Sequence, residues 1–315
     1  MKKLSIIIAV YNIEDYIGRC LDSVIKQKGD DIEILIVNDG STDNSLNICK
    51  EYEKKDNRIR IISGKNKGLS TVRNKGYDNS TGEYIWNIDG DDYIEDGSVD
   101  ILRKYIDKYD IIYFNYNKIN NNTIEKIKYN KNYDNLCDKY ILGYNVVWNK
   151  IIKRNIFDKD RFPEDCSYND IYIIPTLVSK TKNIIFINEF LYNYVYRDNS
   201  LANTRVFNLK DYLYCLNNVY NKVYNYYPDA VECFFINQLI VYMYAKEIRY
   251  GNKFNYQKLN KILKDKFSKY YKNKYYNRNI YEKIYIRLVY YDIIFLVKLC
   301  TFLKLKVYNK YIKKN

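Results

Sequence analysis

Histidine is absent from all 315 residues. No Ser-His-Asp triad, Cys-His pair or His-ligated zinc or iron can be built from this chain. Proton transfer falls to Asp, Glu, Lys, Tyr or Cys. Proline is scarce, at three residues, and glycine numbers 11, which excludes collagen-like and low-complexity character. No two glycines stand as GxG, which excludes a GxGxxG dinucleotide fingerprint, and no GxxxxGK phosphate loop occurs either. The seven cysteines (Cys20, Cys49, Cys137, Cys166, Cys215, Cys233 and Cys300) never fall into CxxC spacing and read as free buried thiols. Long apolar runs are missing too. The longest, Leu239–Ala245, has seven residues, against about 20 for a spanning helix. Met1-Lys2-Lys3 followed by Leu4–Tyr11 has the outline of a short signal peptide. Asn12, Glu14 and Asp15 follow at once with no small-residue cleavage site, so a buried strand explains the run better.

Against these absences, 47% of residues are hydrophobic and 29% charged, enough apolar material for a sizeable core in one large or two modest domains. The 39 tyrosines are spread along the whole chain, which marks a compositional bias rather than a stacking stripe. Charge is divided unevenly. Residues 205–315 hold 22 Lys and Arg against 7 Asp and Glu, net +15, whereas residues 1–204 hold 30 against 31, net −1. This predicts a boundary near residue 205 and a change of task beyond it.

The first hundred residues alternate. Leu4–Val10, Ile32–Asn38, Ile59–Ser63 and Tyr84–Asp89 are apolar runs of strand length. Tyr16–Lys26, Ser45–Lys54 and Ser70–Asn79 read as helices, the second with Ser41, Thr42 and Asp43 as cap candidates. Such alternation predicts an α/β fold with βαβ units and a mostly parallel central sheet covered on both faces. Ile111–Tyr129 is short and strand-like, the pattern is irregular to about Asp198, and from Asn208 onward the chain reads as helical.

Ligands of parallel α/β sheets bind at the carboxyl ends of strands. Those ends carry Tyr11-Asn12 with Glu14 and Asp15, then Asn38-Asp39-Gly40-Ser41, Gly64-Lys65-Asn66-Lys67-Gly68, and Asp89-Gly90-Asp91-Asp92. Three carboxylates in four residues repel one another and call for a cation, and oxygen-only ligation suits Mg²⁺ or Mn²⁺ shared with substrate phosphates. Without a glycine-rich cradle, a nucleotide diphosphate would be held by metal and by Lys65 or Arg73.

Taken together, residues 4–100 resemble the family 2 glycosyltransferases of the GT-A fold. The segments that carry the resemblance are Ser5–Asn12, Val37–Asp43, Asn66–Ser70, Arg73-Asn74, Gly82–Tyr84 and Asp89–Asp92. It continues more thinly through Trp148–Lys150, Phe162–Glu164, Tyr168–Asp170, and Asn188–Tyr194 with Arg197. The chain looks like the bacterial surface-polysaccharide branch, over about two-thirds of its length. The resemblance implies a GT-A domain over 1–204, with a donor half (1–115) and an acceptor half (116–204). It implies an inverting, metal-dependent transferase that moves a sugar from a nucleotide donor, expected to be UDP-linked, to a growing surface glycan or lipid-linked acceptor.

Residue by residue, the segment Val10, Tyr11 and Asn12 would pack on the base and Asp39 would bond its edge. Lys65, Asn66, Gly68, Arg73 and Gly90 would complete the donor site. Asp89 would reach ribose or metal, and Asp91 would hold the divalent ion. Asp170 would be the general base. Trp148, Asn149, Lys150 and Asn169 would lie on the acceptor side, although Trp148 reads equally well as a core residue. Asn169 departs from the usual Glu, and the lost like charge favours a lower pKa for Asp170 or altered acceptor contacts. Two rival readings remain: a nucleotidyltransferase on a similar sheet, and a non-catalytic nucleotide-sugar-binding or assembly protein.

The basic stretch beyond 205 includes Ile284–Lys306, with Ile284, Leu288, Tyr291, Phe295, Leu299 and Phe302 at helical intervals and lysines beside them. Lysines flanking an apolar helix suit an anionic membrane surface better than nucleic acid, which is not an expected partner. A helical bundle or dimer contact is the plainer alternative. The expected location is the cytoplasm, peripheral on the inner face of the cytoplasmic membrane.

Overall fold

The structure is a computed structural model that describes residues 2–120, 123–129, 136–143, 145–164, 166–198, 200, 208–242, 256–276, 280–293 and 295–300. It divides into two compact units, Met1–Val219 and Tyr220–Asn315. The boundary expected near residue 205 falls in segment 201–207, outside the described residues.

The first unit is built on β1 (Leu4–Val10), α1 (Glu14–Ile25), β2 (Ile32–Asn38), α2 (Ser45–Lys55), β3 (Ile59–Ser63), α3 (Leu69–Asn79) and β4 (Tyr84–Asp89). Five of the seven residues of β1 are apolar and fully buried, as for a strand covered on both faces. Helix α1 buries Ile17, Cys20, Leu21 and Val24, spaced three, one and three residues apart, so a single stripe faces the sheet. Strands β3, β2, β1 and β4 lie side by side and parallel. Val10 pairs with Asn38, Asn38 with Ser63, and Ala9 with Asp89, so all four carboxyl ends open on one edge of the sheet.

Beyond β4 the sheet becomes mixed. The following elements are β5 (Tyr93–Ile94), α4 (Ser98–Arg103), β6 (Ile111–Asn120), β7 (Thr123–Ile127), α5 (Leu136–Ile141), β8 (Lys150–Lys153), α6 (Arg154–Phe157), α7 (Asn169–Ser179) and β9 (Ile184–Val195). The order is β3-β2-β1-β4-β8-β6-β9-β5, with β7 hairpinned on β6. The irregular reading of residues 130–198 is therefore corrected: it contains an 11-residue helix and a 12-residue strand. Pro175 inside α7 and the register shifts of β9 against β6 at Asn115 blur the periods that would reveal them. Helix α8 (Leu209–Val223) spans the division between the units.

The second unit is helical in its described residues, as its sequence pattern predicts. It holds α9 (Pro228–Ile236), a π-helical turn (Asn237–Tyr242), α10 (Tyr256–Lys266), two 3₁₀ turns and α11 (Ile280–Tyr290). Phe234, Phe235, Leu239, Leu263 and Phe267 are among its core residues. The pattern through Lys306, with Phe302, extends past residue 300 and outside the described residues.

Candidate functional site

The loop after β1 is fastened to the loop after β2. Asn12 takes a left-handed turn (φ 50°), a conformation asparagine tolerates. Its backbone N–H donates to Ser41 Oγ (3.1 Å) and its Oδ1 accepts from the Thr42 N–H (2.8 Å). The Ile13 and Glu14 amides donate to Ser45 Oγ (2.9 Å) and Asp43 Oδ2 (3.0 Å). Ser41, Thr42 and Asp43, read as helix caps, tie the two loops together instead: the N-cap of α2 is Asn44, although Asp43 Oδ1 accepts from the Ser45 N–H. Val10 is buried beneath this junction, while Tyr11 stays half exposed above it.

Asp39 is buried, and its two oxygens accept from the Lys67 N–H (2.9 Å) and the Gly68 N–H (2.8 Å). It therefore shapes the loop after β3, leaving Lys65, Asn66 and Gly68 exposed. Gly40, at φ 72°, sits where a Cβ would meet the Asn66 nitrogen at 2.9 Å, so this crossing of loops requires glycine.

The Asp89-Gly90-Asp91-Asp92 turn is not three open carboxylates, which corrects the sequence reading. Asp92 is buried: its Oδ2 accepts from the Tyr192 hydroxyl (2.7 Å) and its Oδ1 from the Val195 N–H (2.7 Å). Burial, with Asp91 and Asp89 beside it, pushes Asp92 well above the usual carboxylate range. Asp89 and Asp91 remain partly exposed, and each has an arginine: Arg73 Nη2 reaches Asp89 Oδ1 at 3.0 Å, and Arg197 pairs with Asp91. Burial, then Asp89, raises the Asp91 pKa, and Arg197 opposes this. Gly90 has no room for a side chain, since a Cβ would stand 2.7 Å from the Ala9 carbonyl.

Arg73 joins the two halves of the unit. It projects from α3 and is 3% exposed. Besides Asp89, its Nη1 donates to Asp170 Oδ1 (2.6 Å) and Asn169 Oδ1 (3.0 Å). Burial works against its charge, but Asp170 and Asp89 outweigh that and raise its pKa. Next to it, Asn74 makes a two-way clamp with the Phe162 backbone, both bonds 2.9 Å. Asp170 sits in the first turn of α7 with its side chain 23% exposed. Its pKa is raised by burial, against the pull of Arg73 and with a push from Asp89. The missing Glu charge at 169 thus does not decide the acidity of Asp170. Asn169 is buried and also donates to Ser70 Oγ at 3.0 Å.

The proposed acceptor-side residues lie inside the fold. Trp148 stacks on Tyr192 (4.6 Å between centroids) and Tyr194 (5.7 Å), and its carbonyl accepts from Trp86 Nε1 (2.9 Å). Asn149 and Lys150 are buried; Lys150 Nζ donates to Asn149 Oδ1 (2.6 Å) and to the Val146 carbonyl, and lies over the Tyr113 ring. Burial lowers the Lys150 pKa to about 7. Two residues that belong only to the thin part of the resemblance have a place at the site: Arg197 pairs with Asp91, and the Tyr192 hydroxyl accepts from the Asp89 amide and donates to Asp92.

Among the described residues no group of three or more Cys, Asp or Glu side chains could enclose a metal. Asp89 and Asp91 are partly exposed carboxylates, but each is paired with a guanidinium, so an ion that takes few protein ligands and shares phosphate oxygens would have to compete with Arg73 and Arg197 for them.

A model of glycosyl transferase family 2 matches residues 5–164. Over 218 residues the chain is 36% identical to the glycosyltransferase GlyA of Streptococcus pneumoniae, covering 64% of this chain and 31% of that protein. It is 49% identical over 114 residues to the putative glycosyltransferase EpsH of Bacillus subtilis, covering 36% of this chain and 33% of that one. The chain thus spans about a third of the length of these two relatives. Its fold resembles that of S. aureus TarS 1–349, solved in complex with UDP-GlcNAc, with a TM-score of 0.74, 18% identity, and coverage of 94% and 90% of the two chains.

Proposed function

The chain belongs to glycosyl transferase family 2, and from that premise we propose that it moves a sugar from a UDP-linked donor to a hydroxyl of a growing surface glycan or lipid-linked acceptor, inverting the anomeric carbon. The observation that carries this reading is the Arg73 bridge. One buried guanidinium holds Asp89, at the end of a donor-side strand, and Asp170, at the start of α7, in a single network. Inversion needs one displacement, with a carboxylate to take the acceptor proton and positive charge beside the leaving diphosphate.

In this reading Asp170 takes the proton of the acceptor hydroxyl. Its raised pKa makes it a stronger base than an ordinary surface carboxylate, and Arg73 fixes its orientation through Oδ1. Tyr11, with Val10 and Asn12 behind it, offers a ring face to the base, and Asp39 is the candidate for the base edge. Lys65, Asn66, Gly68 and Gly90 line the donor loops, and Lys65 is a candidate diphosphate contact. Asp91 and Asp89 would hold Mg²⁺ or Mn²⁺, which when bound neutralises charge on the diphosphate. Trp148, Asn149, Lys150 and Asn169 act from beneath, by shaping the acceptor side. The UDP preference is supported by the solved complex of TarS with UDP-GlcNAc.

The test is a titration of the protein with UDP, GDP, CDP and ADP, with and without Mn²⁺, followed by a screen of UDP-sugars. UDP should bind best, with Mn²⁺, and Asp91→Ala should lose the metal-dependent part. Asp170→Asn should bind donor normally and lose about 10²–10⁴-fold in turnover. Binding of no nucleotide overturns the donor site. Binding with no turnover of any UDP-sugar favours the non-catalytic reading, and release of pyrophosphate the nucleotidyltransferase one.

A further inference from the structure

The second unit has a helix with two apolar faces. Helix α11 buries Ile286 and Val289 in the core of its unit. On the other side Ile280, Ile284 and Tyr291, spaced four and seven residues apart, are exposed, the first at 61%. The helix breaks at Asp292 (φ 58°), and the helical segment 295–300 beyond it repeats the arrangement: Val297 is buried, whereas Phe295 (76% exposed), Leu296 and Leu299 are not. A helix on the surface of a water-soluble unit normally turns polar residues outward. Large apolar side chains recurring at helical spacing on an outer face indicate a surface made to be covered.

The charge around this face says what covers it. Residues 220–315 hold 20 Lys and Arg against 6 Asp and Glu, net +14, while residues 1–219 hold 32 of each and are neutral. Exposed Arg287 and Lys298 lie among the apolar residues themselves. A second copy of the chain would bring the same positive charge against it, so like charges oppose self-association. A nucleic acid would answer the charge but leave Ile284, Phe295 and Leu299 in water. A bilayer with anionic headgroups answers both, because apolar side chains enter the headgroup–acyl boundary while Lys and Arg reach back to phosphate. We propose that the face formed by α11 and segment 295–300 docks the protein on an anionic membrane surface, lying in the interface. No helix among the described residues is long and apolar enough to cross one.

The experiment is co-sedimentation of the full chain with vesicles of phosphatidylcholine alone or mixed with phosphatidylglycerol. Neither sugar donor nor metal is needed, so the outcome is independent of the catalytic reading. Binding to the mixed vesicles should exceed binding to the neutral ones by at least about tenfold and weaken as salt rises from about 0.1 to 0.5 M. The triple variant Ile284→Ser/Phe295→Ser/Leu299→Ser changes only exposed positions. It should keep the wild-type Tm and nucleotide binding and lose about tenfold or more in vesicle binding. Three results overturn the proposal: no sedimentation with anionic vesicles, equal sedimentation of wild type and triple variant, or a dimer in light scattering that the triple variant abolishes. Tight binding of an RNA or DNA oligonucleotide together with no vesicle binding would assign the charge to nucleic acid instead.

Discussion

Arg73 gives up its hydration almost entirely; Asp89, Asn169 and Asp170 answer its two Nη groups, while its buried Nε has no hydrogen-bond partner among the described residues. Removing one member of such a buried pair leaves charge without an answer, at a cost of about 3–5 kcal/mol. Arg73→Met should therefore lower the unfolding free energy by that amount in urea melts, and a loss below about 1 kcal/mol would show that the pair is solvated in solution. Asp170 carries a second consequence. Only its ionised form accepts a proton, and burial raises its pKa. If Asp170 is the base proposed above, transfer should fall as pH drops through a value above the ordinary carboxylate figure of about 3.9, seen as the acid limb of kcat/KM. Lys150 acts in the opposite sense. Its folded pKa is about 7, against about 10.4 when unfolded. Between these values the unfolded chain binds the extra proton, so stability rises with pH by up to about 4 kcal/mol. Melts between pH 7 and 10 should show that slope in wild type and lose it in Lys150→Met.

At the scale of elements, α3 is the hinge on which the two halves of the sheet meet. Its Asn74 exchanges two hydrogen bonds with the Phe162 backbone. Asn74→Ala leaves a buried amide and carbonyl unpaired, at about 1–3 kcal/mol, and hydrogen exchange should quicken from Phe162 to the first turn of α7 while β1 and β2 keep their protection. The same elements show what a sequence can reveal. β1 to β4 and α1 to α3 were legible because their signal is local: a continuous apolar run, or a stripe such as Ile17, Cys20, Leu21 and Val24. The convergence of Asp39 and Asp89 on one edge followed from the parallel topology. What stayed hidden depends on partners far along the chain. Asp92 looks like its neighbours until Tyr192 and Val195, about 100 residues on, draw it inward. Trp148 reads equally as an acceptor-side or a core residue until Tyr192 and Tyr194, which stack on it, decide for the core. No spacing rule announces that Arg197 will reach Asp91.

For the molecule as a whole, the arginines decide how a metal affects stability. Asp89 and Asp91 already have cationic partners without it, so the fold does not depend on an ion to relieve their repulsion. Mn²⁺ alone should barely change the Tm, and EDTA should leave it where it was. A nucleotide supplies further oxygen ligands and negative charge, so UDP and Mn²⁺ together should stabilise where neither does alone. Linkage sets the size: at a ligand concentration 100 times Kd the gain is about 2.7 kcal/mol. Calorimetry on the full chain, with UDP, with Mn²⁺ and with both, measures this directly. In Asp91→Ala the joint effect should vanish while the unliganded Tm stays close to wild type or drops slightly, since Arg197 loses one ion pair but keeps its place over the Tyr16 ring. A strong rise in Tm with Mn²⁺ alone would mean that the ion completes the fold rather than the donor complex, and the acidic turn would then be a structural metal site.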